Sequence, residues 1–181
     1  MHPLLAIPIA LLGFLAGRRA AARRATSASA GSPLDGVTLG AWDTFVSKMA
    51  QHDKGHVSPR RKLGAFQMDA RRLSDVGAMT TARKSPDGWM GDWAQGLTES
   101  AFLGSMPLQY AVFVRSMRAA APKVSPLVGK VVDGKVATLS GLLGVSHVAG
   151  ERGVEGFVTD PQVRTRFPST VAVWTRTNGI F

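Results

Sequence analysis

Asp53 is the side chain whose type and position best suit acid chemistry. It stands at the end of an apolar helical stretch, where apolar neighbours can raise a carboxyl pKa enough to hold a proton for a leaving oxygen. The other reading is a solvated residue at a helix end, although an anion there opposes the helix macrodipole. His52 and His56, four apart, would share one helical face as a metal pair does. Gly55 lies between them and Pro59 follows, no third ligand stands at a motif distance, and no H-E-x-x-H string occurs. No metal and no cofactor is expected. There is no P-loop and no G-x-G-x-x-G, and the glycines at 150, 153 and 156 follow no strand of a βαβ unit. A G-x-S-x-G nucleophile elbow is absent. With zero cysteines, thiolate nucleophiles, thiolate zinc sites and disulfides are excluded.

Other side chains suit binding rather than bond cleavage. Gln67 is suited to hydrogen bonding, with a bound ligand or with its own loop backbone. Phe66 and Met68 beside it fit a core at least as well as a cleft. Trp89 and Trp93 have faces that can stack on pyranose rings, or can pin a long loop to the body. His147 reads as a core histidine or a cleft residue. Arg60, Arg61, Lys62, Arg71 and Arg72 flank Phe66, with the tryptophans following. Such a stripe can pair phosphates and stack bases. No recognised nucleic-acid module emerges, and nucleic acid is not the expected partner.

These residues need helices to position them. Leu39, Trp42, Phe45, Val46 and Met49 recur at threes and fours, which predicts an amphipathic helix ending near His52. Residues 54–64 form a basic loop broken by Pro59. Residues 69–76 make a short helix, N-capped by Asp69 and stopped by Gly77. Residues 80–98 are rich in glycine and proline and read as loop. Residues 99–121 carry a helical pattern, with Ser105 capping its second part and Pro107 early in that part. A short β-excursion is expected within 124–137. Thr138 opens a further helix through Leu142, Leu143 and His147, closed by Gly150. Two brief helical pieces follow, at 153–158 and 160–167, and the type of the last segment is ambiguous.

The chain has 181 residues, 45% of them hydrophobic and 19% charged, a composition for one globular domain plus a tail. Its net charge is +10. Four arginines precede the first acid, Asp35, so residues 35–181 still carry +6. A basic surface favours polyanions such as nucleic acid, anionic lipid or an acidic cell wall, and equally serves solubility. Residues 3–17 carry no charge, and RRAAARR follows them. That run is shorter than the ~20 residues that span a bilayer squarely, though flanking residues with snorkelling arginines extend it. The arginines follow the apolar run, whereas a secretory signal has its charges first. The expectation is an N-terminal hydrophobic helix, residues 1–24, as a membrane anchor in contact with lipid through 3–17. A flexible linker follows at 25–36, rich in small and turn-forming residues, and the folded domain occupies 37–181.

The order of the blocks resembles the lysozyme-like lytic transglycosylases, in particular a branch of short phage and bacterial peptidoglycan hydrolases. MAQHDKG ends the first helix where the family has its catalytic acid. LGAFQMDARRLSDVGAM matches a G-x-[FYM]-Q-[MIL] turn leading into a helix. FLGSMPLQYAVFVRSM takes the place of the central helix, and SGLLGVSHVAGERGVEGF that of a helix ending in histidine before a glycine-rich turn. NGIF stands at a short closing motif. The blocks cover most of residues 42–181. The family's acid is glutamate, whereas this chain has Asp53. Glu99, Glu151 and Glu155 are its only glutamates, and none falls on that position. Aspartate sets its carboxyl back by about 1–1.5 Å, and a misplacement of about 1 Å can cost ~100-fold in rate.

The resemblance implies a mainly α, lysozyme-like single domain with a small β or loop excursion. It implies cleavage of the β-1,4 link in peptidoglycan glycan strands. Asp53 would protonate the leaving oxygen, and the muramic 6-hydroxyl would attack. Gln67, Phe66, His147, Trp89 and Trp93 would hold the glycan. The expected location is a viral membrane or bacterial cell envelope, with virion proteins as a further partner class. The alternative is a protein of the same fold that binds glycan without cutting it.

Overall fold

The computed structural model describes residues 31–50, 62–86 and 88–181. The chain divides into two units, Met1–Gly31 and Ser32–Phe181. The anchor expected at 1–24, half of the linker, and Asp53, His52 and His56 lie outside the described residues. Among those described, no helix is long and apolar enough to cross a membrane.

The second unit is mainly helical. Its helices are α1 (Leu39–Met49), α2 (Ala70–Asp75), α3 (Glu99–Leu103), α4 (Met106–Val124), α5 (Leu139–Ala149), α6 (Glu151–Thr159), α7 (Pro161–Arg166) and α8 (Pro168–Thr177). Two antiparallel hairpins complete it. One pairs β1 (Arg83–Ser85) with β2 (Gly88–Met90); the other pairs β3 (Val131–Val132) with β4 (Lys135–Val136).

Local sequence sets the helix starts. Thr38, Asp69, Thr98, Ser105, Thr138 and Asp160 each accept a backbone N–H from the first turn of the helix they precede, the role for which short oxygen-bearing side chains are favoured. Asp69 and Ser105 cap where the sequence places caps. Gly104 and Ser105 split the helical pattern that begins at residue 99 into α3 and α4.

Helix α5 is the centre. Its residues Ser140 to Ser146 are all buried, which suits a segment with almost no charge on any face. Helices α4, α6 and α8 pack on it. Gly141 and Gly144 allow α8 its close approach. A Cβ at Gly141 would lie 2.5 Å from Asn178 Oδ1, and one at Gly144 would lie 2.5 Å from Thr177 Oγ1. The C-terminal residues finish the contact. Asn178 Oδ1 accepts from Thr138 N at 2.9 Å, and Ser140 Oγ accepts from both Ile180 N and Phe181 N. The ambiguous last segment is therefore a helix whose tail closes the start of α5.

A second layer of core is aromatic. Trp42 and Phe45 of α1 meet Phe113 of α4, and Phe66 stacks on Phe113 at 4.2 Å between centroids. Trp42 Nε1 donates to the Tyr110 hydroxyl at 2.8 Å, so its one polar atom is satisfied. Fully burying one such ring contributes up to about 3 kcal/mol.

The β3–β4 hairpin falls within the excursion expected at 124–137. The β1–β2 hairpin falls in a stretch read from sequence as loop. Three-residue strands give no run long enough to show alternation, and tertiary contact with α2 supports this one.

Candidate functional site

The segment 63–68 is a tight antiparallel turn. Leu63 and Met68 exchange both backbone hydrogen bonds at 2.9 Å. Gly64 has φ +71° and Gln67 φ +49°. Gly64 is required there on two counts: its backbone is left-handed, and a Cβ would collide with the Gln109 side chain. Gln109, only 1% exposed on α4, holds the turn. Its Oε1 accepts from Ala65 N at 2.8 Å, and its Nε2 donates to the carbonyls of Phe102 and Leu103, each at 3.0 Å.

His147 holds the turn from the other side. Its Nε2 lies 2.6 Å from the Phe66 carbonyl, and its ring meets Phe113 edge-on. Burial, and then the nearby Arg72 cation, push His147 down to about 3. The ring is neutral at physiological pH. A carbonyl can only accept, so Nε2 carries the proton. Buried Nδ1 keeps a lone pair that has no partner among the described residues.

Beside His147 lies a cleft of about 750 Å³, walled by α2, β2, α4, α5 and the start of α6. Arg72 spans its base. It donates to Ser116 Oγ at 2.8 Å and to the Ser146 carbonyl at 2.6 Å. Burial lowers the Arg72 pKa, and the carboxylates of Glu151, Asp69 and Asp75 oppose that; an arginine so placed remains a cation. Trp89 lines one wall, with the Arg71 guanidinium 5.5 Å above its ring. Glu151 sits in the first turn of α6, its carboxylate 3.2 Å from Lys123 Nζ. Asp69, Asp75 and Arg152 also line the space. The cleft thus offers an aromatic face, three carboxylates and four cations. Those groups can bind a polyhydroxylated or charged ligand.

The structure brings together four of the residues singled out from sequence, Arg71, Arg72, Trp89 and His147. Phe66 is 2% exposed, its ring stacked in the core behind His147. The Gln67 amide donates to the Gly64 carbonyl of its own turn at 2.9 Å. Trp93 packs on Phe102 at 5.4 Å and does not line the cleft. Asp53 lies outside the described residues.

Sequence reasoning missed Gln109, the anchoring of Arg72, and Glu151 as a cleft residue. For Gln109 a signal existed. Gln109, Val112, Phe113, Ser116, Met117, Ala120 and Val124 are the buried stripe of α4, so a long polar side chain stands on an apolar face. Such a residue needs buried partners. Arg72 and Glu151 carried no comparable signal, since their neighbours come from distant segments.

Among the described residues no group of three or more His, Asp or Glu is arranged to hold a metal ion. The chain matches no protein-family model, no curated protein and no solved structure.

Proposed function

We propose that the protein acts on peptidoglycan glycan strands through a lysozyme-like domain, with the cleft beside His147 as the place where the glycan lies. One observation carries this reading: Trp89 and His147, picked from sequence as sugar contacts, line one saccharide-sized space together with three carboxylates. Trp89 offers a pyranose-stacking face kept in place by Arg71. Asp69, Asp75, Glu151 and Arg152 supply hydrogen-bonding groups for hydroxyls and N-acyl groups. Asp69 immediately follows the 63–68 turn, and that turn follows the segment carrying Asp53. In this reading Asp53 donates the proton to the leaving oxygen. The muramic 6-hydroxyl oxygen then bonds to the anomeric carbon as its bond to the leaving oxygen breaks, and the Asp53 carboxylate takes the hydroxyl proton, which gives an anhydro product with no second carboxylate needed as nucleophile. The setting is a viral membrane or a bacterial envelope, with residues 3–17 in lipid and virion proteins as further partners.

The test is incubation of the full chain with purified sacculi. The expected result is release of soluble anhydro-muropeptides. Asp53→Ala abolishes that release, Asp53→Glu keeps or raises it, and Trp89→Ala weakens it.

A second reading is favoured by the missing family glutamate: the fold is kept, and the protein binds glycan without cutting it. It predicts co-pelleting with sacculi, weakened by Trp89→Ala, with no release. A basic nucleic-acid binder is the third class. It predicts binding that falls steeply with salt, and negligible affinity at physiological salt removes it.

A further inference from the structure

Arg72 is a largely buried cation whose side-chain partners are neutral. It donates to Ser116 Oγ and to the Ser146 carbonyl, and it forms no ion pair with a described carboxylate. A guanidinium carries five N–H donors. Those two bonds leave three of them without a partner among the described residues. Burying a charge is costly unless the charge is paired, and the nearby carboxylates offset that cost only in part. Glu151, Asp69 and Asp75 each raise the Arg72 pKa without outweighing its burial. Glu151 is engaged by Lys123, and Asp69 Oδ1 accepts the Arg72 backbone N–H as the cap of α2. Arg72 therefore keeps a capacity for an anion, and it lines the cleft of about 750 Å³.

Arg71 and Arg152 line the same space but are exposed. Water screens exposed cations, and their pairs contribute little. A cation in a lower effective dielectric attracts an anion more strongly, which singles out Arg72.

Position narrows the kind of anion. The Arg71 guanidinium lies 5.5 Å above the Trp89 ring. Arg72 is the next residue, with its Cα about 3.8 Å along the chain. An acid held at Arg72 is therefore borne on a ring lying at Trp89, or one short link from it, and not on a distant branch. A muramic ring has such an acid in its ether-linked lactyl group. That carboxyl is free only where no stem peptide is joined to it, and a planar carboxylate suits a guanidinium partner.

We propose, on the glycan reading of this cleft, that Arg72 binds the free lactyl carboxylate of a muramic residue whose ring lies on Trp89, so that the substrate is peptide-free glycan. The reaction that must supply it is hydrolysis of the lactyl–peptide amide. Water leaves the carboxylate on the sugar and the amino group on the released peptide.

The test is calorimetric titration of the full chain, carrying Asp53→Ala so that no strand is cut. Four tetrasaccharides are compared: peptide-free strands of alternating N-acetylglucosamine and N-acetylmuramic acid, their lactyl methyl esters, the same strands bearing stem peptides, and chitotetraose. The peptide-free acid is expected to bind roughly tenfold tighter than the other three. Arg72→Gln, shown to be folded by its thermal melt, erases the preference. The ester and peptide comparisons leave Arg72 in place, so they decide the matter even where that variant fails to fold. Equal binding of acid and ester, or of peptide-free and peptide-bearing strands, overturns the proposal; if Trp89→Ala weakens that binding, the glycan reading stands without it. A preference that survives in folded Arg72→Gln also overturns it, because another cation then holds the acid. Binding of no tetrasaccharide removes the glycan reading and the proposal together.

Discussion

Two short antiparallel turns in this molecule each combine a left-handed glycine with a left-handed non-glycine residue, and they differ in how deeply they are buried. The 63–68 turn contains Gly64 at φ +71° and Gln67 at φ +49°; the β3–β4 turn contains Gly134 at φ +77° and Asp133 at φ +48°. Those are the two non-glycine residues with positive φ among the described residues. Each turn is tied down by a buried polar side chain from a helix, Gln109 for the first and Arg164 for the second. The first turn is embedded, with Leu63, Ala65, Phe66 and Met68 all buried. The second presents Val131 and Val136 to solvent. Left-handed residue pairs, three apart in the first turn and adjacent in the second, therefore serve two ends. Embedded, the turn becomes a wedge that fixes His147 at the edge of the cleft. Exposed, it becomes a ledge that is free to meet something else.

The comparison breaks most visibly at Gln109. Gln109→Leu leaves Ala65 N and the Leu103 carbonyl without this partner, while the Phe102 carbonyl keeps Ser105 N. An unsatisfied buried polar group costs about 1–3 kcal/mol, so a loss of roughly 3 kcal/mol is expected, read as a lower denaturation midpoint in urea. Under the proposed function, release of glycan fragments is expected to fall too, because the turn would no longer support His147.

The two glycines sharpen the contrast. An alanine at either position has to adopt a left-handed backbone, at about 1–2 kcal/mol. At Gly134 nothing else lies within 4 Å, whereas at Gly64 the new Cβ meets the Gln109 side chain. Gly64→Ala is expected to destabilise by about 1–2 kcal/mol more than Gly134→Ala, a difference that includes the strain of overpacking. Thermal melts of the two variants, run side by side, measure it.

Acid separates the two turns next. The folded chain keeps His147 neutral down to about pH 3, whereas an unfolded imidazole gains its proton near 6.5. Between those values the unfolded chain binds more protons, so acid favours unfolding. The contribution of neutral His147 is complete above pH 6.5 and is lost as pH falls through that window, by up to about 1.4 kcal/mol per unit. His147→Gln, which can still donate to the Phe66 carbonyl, is expected to flatten the slope of Tm between pH 6.5 and 5. A wild-type slope unchanged by that substitution would show that other groups set it.

The smallest effect belongs to the exposed turn. Asp133 is 66% exposed at its end of the ion pair with Arg164, and such pairs contribute about 0–1 kcal/mol. Asp133→Asn is expected to shift Tm by no more than about 3 °C.

How much of this was readable in advance follows the range of the interactions. Caps at Asp69, Ser105 and Thr138 were legible because a cap involves only the next three residues. The stripe of α1 was legible in Trp42, Phe45 and Met49, because burial on one face leaves a periodic mark; in α4 the helix was legible, but of its buried face only Phe113 and Met117 were. Helix α8 was not, since its β-branched residues suit either state and its contact with Gly141 and Gly144 decides the matter. In the candidate site, Trp89 and His147 were legible as residue types. That Trp93 packs against Phe102 instead of lining the cleft has no sequence signal.

The sequence by itself determined a basic, cysteine-free, mainly helical chain and the capped starts of several of its helices, because those follow from charge, composition and contacts a few residues apart. Only the tertiary structure decided which polar side chains face inward. Gln109 meets Ala65 across 44 residues, Arg72 meets Ser146 across 74, and His147 meets Phe66 across 81. Each bond forms because helices packed for apolar reasons leave buried donors and acceptors that must find one another, and no local pattern records which ones will meet.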